Sequence, residues 1–155
     1  MKPYLTLQEE IESVCSYLDR ESNSQHGKLN HELFLDPEVD STTVIPRKLL
    51  QVFVENALRN GIAGEYSEAT IQISVNQSTL GILIMVADYG LRKEHGSAAD
   101  QSQSEGMKLL NSYLPLFNRQ HRISISYKIL NLKQENGTPG ARVMITLKPN
   151  TQELL

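Results

Sequence analysis

The stretch from Ile45 to Ile62 constrains the fold more than any other part of this 155-residue chain. A proline near its start and a glycine near its end commonly begin and terminate a helix, here one of about four turns. At about 100° per residue, its large apolar side chains share one arc, which must face a hydrophobic core. These side chains are Leu50, Phe53, Val54, Ala57 and Leu58. The pattern predicts an amphipathic helix with one buried face.

Polar residues border this arc on both sides. Asn56 and Asn60 lie one turn apart on one flank, and Glu55 and Arg59 form an i, i+4 pair on the other. A carboxamide beside a buried face can ligate a hard cation and contact phosphate oxygens while remaining neutral. The pattern alone is also typical of an amphipathic helix whose flanking polar side chains are simply solvated.

Composition excludes several classes of function. A net charge of −3 and a pI near 5.8, without a run of Lys or Arg, give no electrostatic basis for binding nucleic acid. Cys15 is the only cysteine, so there is no internal disulfide, and four scattered histidines give no zinc spacing. The longest apolar stretch, from Leu80 to Ala87, is too short to span a bilayer.

Two further helices are predicted. A capping box at residues 6–9 opens a helix to about Glu21, with apolar residues spaced for packing against another helix. Those residues are Leu7, Ile11, Val14 and Leu18. The other helix covers residues 105–117, and Pro115 is expected to kink or break its end.

Alternating apolar and polar residues predict the strands of one sheet. Alternation marks residues 71–75, 123–129 and 143–147, and a short strand covers residues 32–36. The stretch from Leu80 to Ala87 is apolar on both faces, which favours a central strand. Together the elements predict a two-layer α/β (α+β) sandwich, in which a mixed, largely antiparallel five-stranded sheet packs on helices.

The long amphipathic helix also resembles a known motif. Residues 49–61 read Leu-Leu-Gln-Val-Phe-Val-Glu-Asn-Ala-Leu-Arg-Asn-Gly. This resembles the N-box of LytS/YehU-type sensor histidine kinases, usually Leu-Leu-Gln-Pro-Leu-Val-Glu-Asn-Ala-x-x-His-Gly. The resemblance implies the GHKL (HATPase, Bergerat) fold with ATP and Mg²⁺ as cofactors. It makes Asn56 the Mg²⁺ ligand, and it makes Asn56 and Arg59 catalytic residues, with Arg59 directed toward the phosphates. It also makes Asn60, which stands where the family has a histidine, a nucleotide-binding residue.

A second resemblance lies at residues 86–92, where the family carries Val-x-Asp-Asn-Gly-x-Gly. It implies that Asp88 accepts a hydrogen bond from the adenine amino group and that Gly90 lets the backbone approach the nucleotide. Tyr89 and Arg92 depart from the motif. Without the resemblance, Asp-Tyr-Gly is typical of an ordinary strand-ending turn.

A third resemblance, at residues 104–111, is to the box Gly-x-Gly-Leu-x-x-x-Asn at the start of a helix. It implies that Gly106, Met107 and Lys108 bind the nucleotide, because a helix N-terminus attracts phosphate. Ser104 replaces the first glycine, and an ordinary helix start with Ser104 as N-cap is the alternative.

The resemblance also implies a domain plan. It assigns residues 1–24 to the end of a dimerisation-hairpin helix. It assigns residues 25–155 to the GHKL domain, with a lid at about 89–104. The implied function is the ATP-binding catalytic domain of a two-component sensor histidine kinase, which donates the γ-phosphate to a histidine on an upstream helix. The implied partners are a response regulator and a second copy bound through the N-terminal helix, with no nucleic acid. The implied location is the cytoplasmic part of a sensor anchored in the membrane through upstream segments.

The departures from the motifs support an alternative. They fall at Asn60, Tyr89, Arg92, Ser104 and Ala141, the last standing where the family has a threonine. A degenerate GHKL module without kinase activity, acting as a dimerisation or signalling scaffold, would show such changes. In addition, Val52 stands where GHKL hydrolases place a general-base glutamate, so rapid ATP hydrolysis is not expected.

Overall fold

The structure, a computed structural model, describes residues 2–24, 29–60, 69–89, 105–133 and 139–150. Three helices and seven strands lie within these ranges. In chain order they are β1 (Tyr4–Thr6), α1 (Leu7–Ser24), β2 (Leu29–Leu35), β3 (Val44–Pro46), α2 (Leu49–Asn60), β4 (Ala69–Ser78), β5 (Gly81–Tyr89), α3 (Glu105–His121), β6 (Ile123–Lys133) and β7 (Pro139–Pro149).

Five strands form the main sheet, in the order β2-β4-β5-β7-β6. The β2–β4 pair is parallel and the other three pairs are antiparallel, which confirms the predicted mixed sheet. The strand predicted to be central is β5, which pairs with β4 on one side and β7 on the other. It begins one residue later than predicted, because Leu80 lies in the turn before it and is 69% exposed.

One face of the sheet packs against the helices. Ile73 and Val86, opposite each other on β4 and β5, are both buried on that face. The predicted apolar face of α1 is buried in the same hydrophobic core. Its four residues are Leu7, Ile11, Val14 and Leu18. Because α1 contacts α2 and β2, it forms part of the domain's core. Its assignment to a dimerisation hairpin stays a prediction.

The predicted start of the second helix is wrong. Val44–Pro46 forms β3, antiparallel to β1 with Tyr4 opposite Pro46, and α2 begins only at Leu49. Proline is tolerated at the end of a short strand because it need not donate a ladder hydrogen bond there. The predicted apolar arc of α2 is confirmed, since three of its five residues are buried and the other two are partly buried and pack against the core.

Pro115, predicted to kink or break the end of its helix, does not break it, since α3 continues to His121. Pro115 lies on the exposed side of the helix. Leu114 and Phe117, before and after it, are buried, and this packing offsets the lost backbone hydrogen bond. The Asn118 side chain then accepts a hydrogen bond from the N–H of Ile125 and donates one to its carbonyl, which fastens the helix end to β6.

The β4–β5 hairpin turns through Thr79 and Leu80. The Ser78 hydroxyl donates to the carbonyl of Gly81 at 3.0 Å and accepts from the N–H of Leu80 at 3.2 Å. Gly81 has a φ of 144°, which side-chain-bearing residues rarely adopt. A Cβ there would lie 2.1 Å from the carbonyl oxygen of Leu147 on β7, so this position requires glycine.

Candidate functional site

The elements that carry the predicted site residues are neighbours. α2 contacts both β5 and α3, and it therefore lies between the central strand and the helix that follows it. The carboxyl end of β5 carries Asp88, α2 carries Asn56, and the first turn of α3 carries residues 106–108. The three predicted segments thus lie on three elements, of which α2 contacts the other two.

Asn56 lies in the second half of α2, and its side chain is half-buried. It therefore sits where the hydrophobic core meets the surface, as the flanking position predicted. Val52, one turn earlier, is buried in the core. Arg59 and Asn60 belong to the last turn of α2, but their side chains lie outside the described residues.

Asp88 is a buried carboxylate, only 3% exposed. It lies opposite the buried Ile71, so it faces the helices. The next residue, Tyr89, faces the other side of the sheet, where Nη2 of Arg142 lies 3.4 Å from the Tyr89 hydroxyl. The Tyr89 departure from the family motif thus lies away from the Asp88 side. The predicted lid at about 89–104 begins one residue too early, because Tyr89 belongs to β5, and the rest of it, including Gly90, lies outside the described residues.

The start of α3 at Glu105 agrees with the predicted helix start, although Ser104 lies outside the described residues. Met107 is 2% exposed and belongs to the hydrophobic core. Gly106 is half-buried, and the exposed Lys108 forms an ion pair with Glu105 at 3.6 Å. The first turn of α3 is therefore anchored by Met107, with a positively charged side chain at the surface beside it.

Tyr127 on β6 connects the two helices of the candidate site. Its hydroxyl donates a 2.6 Å hydrogen bond to Oδ1 of Asn111 on α3. Its ring packs edge-on against Phe53 of α2, with the ring centroids 4.9 Å apart. The sequence indicated only that Tyr127 alternates with apolar residues of its strand. A tyrosine at such a position needs a hydrogen-bond partner, and that was the available signal.

Glu10 was missed in the sequence and is 1% exposed in the structure. Its carboxylate accepts hydrogen bonds from the backbone N–H groups of Lys48, Leu50 and Gln51, at the N-terminus of α2. The available signal was its position in α1, beside the apolar arc that begins at Leu7. An acidic residue so close to a buried face needs a specific partner.

No protein-family model and no curated protein matches the sequence. Solved structures do match. The catalytic domain of the histidine kinase ThkA aligns at 14% identity and a TM-score of 0.54, over 97% of this chain and 98% of that one. The mycobacterial sensor histidine kinase MprB aligns at 10% identity and a TM-score of 0.57, over 94% and 98%. The histidine kinase AdeS of Acinetobacter baumannii aligns at 14% identity and a TM-score of 0.53, over 92% and 66%.

This chain has the fold of histidine kinase catalytic domains. The alignment over 97% of the chain includes nearly all of its helices and strands. Among the described residues, no helix is long and apolar enough to cross a membrane.

The chemistry of the site fits a magnesium–nucleotide complex. Within the described ranges, no group of three His, Cys, Asp or Glu residues could hold a metal ion by itself. A cation next to Asn56 would therefore need further oxygen ligands, and nucleotide phosphates supply them, since Mg²⁺ binds few protein groups and several phosphate or water oxygens. The buried Asp88 is a matching acceptor for a base amino group.

Proposed function

We propose that this chain is the ATP-binding catalytic domain of a two-component sensor histidine kinase of the LytS/YehU type. The observation that carries the proposal is the placement of Asn56, Asp88 and the first turn of α3 on contacting elements of this fold. Each of these segments resembles a nucleotide-binding box of that family, and the fold is that of histidine kinase catalytic domains.

Each residue has a defined role in this proposal. Asp88 accepts a hydrogen bond from the adenine amino group, and the first turn of α3, with Gly106, Met107 and Lys108, holds the phosphates. Asn56 ligates Mg²⁺, which when bound neutralises phosphate charge. Arg59 adds positive charge toward the transferred group. The remaining residues proposed to contact the nucleotide are Asn60 and Gly90.

Phosphoryl transfer depends mainly on positioning and charge neutralisation, so it needs no nucleophile within this chain. The acceptor in the proposal is a histidine on an upstream helix. Val52, buried one turn before Asn56, cannot activate water. The site therefore favours transfer to a protein histidine over hydrolysis.

The proposed partners follow from the same function. ThkA has been solved in complex with the response regulator protein TrrA, and this chain aligns over 97% of its own length and 42% of that ThkA chain. We therefore propose a response regulator as partner, and the cytoplasmic part of a membrane-anchored sensor as location. A homodimer through the N-terminal helix would use the exposed face of α1 or upstream residues, because its apolar face is buried within the domain.

ATP should bind in a magnesium-dependent manner, with a Kd of tens to hundreds of micromolar, which corresponds to about 5 to 6 kcal/mol. Isothermal titration calorimetry with a non-hydrolysable ATP analogue, with and without Mg²⁺, measures this. A melting-temperature shift with nucleotide provides a second readout. Neither heat nor shift at millimolar nucleotide would contradict the proposal.

Replacing Asp88 with alanine should remove most of the ATP affinity. A buried adenine amino group left without its acceptor costs about 1–3 kcal/mol. Calorimetry on the variant checks this, and Asp36→Ala is the matched control. Asp36 directly follows β2, and its carboxylate accepts from the N–H groups of Gln77 and Glu38 at the opposite end of the sheet from Asp88. Equal affinity of Asp88→Ala and wild type would mean that adenine is recognised elsewhere.

The alternative is the degenerate scaffold, which the substitutions at Asn60, Arg92, Ser104 and Ala141 favour. Tyr89 no longer counts among them, because its side chain lies on the opposite face of the sheet from Asp88. Phosphorylation of a histidine-containing hairpin supplied in trans separates the two functions. ATP binding without transfer would support the scaffold.

A further inference from the structure

The N-terminus of α2 is held by a side chain from another helix. Oε1 of Glu10 accepts from the N–H of Lys48 at 3.1 Å, and Oε2 accepts from those of Leu50 and Gln51 at 2.9 and 3.3 Å. The first N–H groups of a helix have no partners within it, and usually the residue just before the helix supplies one. Here the partner is a buried carboxylate about 40 residues earlier in sequence.

The residues just before α2 cannot take over this role. Lys48 immediately precedes the helix, has no acceptor in its side chain, and has a φ of 69°. The side chain of Arg47 donates instead to the carbonyl of Lys2, at 2.6 Å. The hydrogen bonds to Glu10 therefore hold the N-terminus of α2 against α1.

The buried carboxylate of Glu10 is desolvated as well as hydrogen-bonded. Burial raises the pKa of its carboxyl, while the three backbone N–H groups and the nearby Arg47 act in the opposite direction. A raised pKa means that the folded protein binds the proton more tightly than the unfolded chain does. The stability due to protonated Glu10 is then lost as the pH rises through the folded pKa.

The same helix carries the proposed magnesium ligand. Asn56 lies six positions after Leu50, which is about 9 Å along a helix axis. α2 is continuous from Leu49 to Asn60, so a displacement at its N-terminus is transmitted to Asn56. We infer that Glu10 is a positioning residue, which sets the axial position and rotation of α2 so that the Asn56 carboxamide meets the Mg·ATP phosphates. This inference rests on the proposed function.

The test compares Glu10→Gln with Glu9→Gln. Glutamine keeps the size of the side chain but has one acceptor oxygen, so it cannot retain the bonds of both Glu10 oxygens. Alanine is less suitable, because it would leave three N–H groups without this acceptor. Glu9 is a matched control, since its exposed carboxylate accepts from the N–H and hydroxyl of Thr6, at the start of α1.

We define the magnesium gain as the ratio of the ATP affinity with Mg²⁺ to that without it. In Glu10→Gln this ratio should fall about tenfold, which corresponds to roughly 1.4 kcal/mol. Magnesium-free ATP affinity should change little, the melting temperature should fall because at least one buried N–H group loses its acceptor, and Glu9→Gln should keep the full magnesium gain. A magnesium gain equal to that of wild type would overturn the inference. So would an equal loss of both affinities, which a purely structural role predicts.

A second measurement separates this inference from the proposed function. If wild type binds no ATP, the proposed function fails, yet the side-chain amide resonances of Asn56 still report its position in an NMR spectrum. Glu10→Gln should shift these resonances and Glu9→Gln should not. Unchanged Asn56 resonances in Glu10→Gln would overturn the positioning role.

Discussion

Replacing Asn56 with alanine is expected to abolish magnesium-dependent ATP binding, along with phosphoryl transfer to a histidine-containing hairpin supplied in trans. The physical reason is that a hard cation requires oxygen ligands in its coordination shell, and a methyl group provides none. Stability should change little, because the side chain is half-buried at the edge of the core and alanine is the better helix former. Nucleotide titration with and without Mg²⁺ measures the first effect, and thermal unfolding measures the second.

Gln51→Ala is the matched control for this variant. Gln51 lies on the same helix, is also half-buried, and carries the same carboxamide, but its Nε2 donates to Glu55 at 2.8 Å. Its loss should leave nucleotide binding unchanged. If Asn56 is instead a structural residue, Asn56→Ala would cost about 1–3 kcal/mol of folding free energy. A large loss of stability with intact magnesium-dependent binding would contradict its role as a ligand.

Replacing Gly81 with alanine is expected to destabilise the domain severely. The new Cβ would lie 2.1 Å from the carbonyl oxygen of Leu147, and the φ of 144° would be strained for any side chain. Backbone strain of this kind costs about 1–3 kcal/mol, and the displacement of β5 from β7 adds to it. A loss of about 3 kcal/mol would lower the melting temperature by roughly 6–12 °C in a domain of this size.

Thermal unfolding measured by circular dichroism checks this expectation. Leu80→Ala is the control within the same turn, because the Leu80 side chain is exposed and its loss removes little packing. A Gly81→Ala protein that melts with wild type would show that β5 and β7 adjust to a side chain at this position.

The strands of the five-stranded sheet could be located from the sequence because the pattern that marks each strand is local. Alternating residues on β4, β6 and β7 are visible within each strand, and so is the apolar run that makes β5 central. The start of α2 was misassigned because proline is compatible with both a first helical turn and the end of a short strand. Pairing with β1, which contributes only Tyr4–Thr6, decides between them, and that pairing joins residues about 40 positions apart.

The candidate site was predictable where a motif is contiguous. A helix carrying Asn56, a strand carrying Asp88 near its carboxyl end and a helix starting at Glu105 are all present, and the roles of these residues stay predictions. The contacts that connect these segments were not predictable in the same way. Tyr127 with Asn111, and Glu10 with Leu50, each join distant parts of the chain, and no local pattern specifies which partner a buried polar group selects.

The parallel β2–β4 pairing bears on the order in which the domain is assembled. Leu29 lies beside Ala69, so this contact closes a loop of about 40 residues, whereas the β4–β5 hairpin closes across two. Closure entropy grows with loop length, which makes the β2 edge costly to form and, within the five-stranded sheet, the first strand expected to open. That loop contains α2. Because α1 contacts both β2 and α2, we expect opening of the edge to loosen the Asn56 helix as well, and a ligand that binds only the closed state would favour the closed edge by mass action.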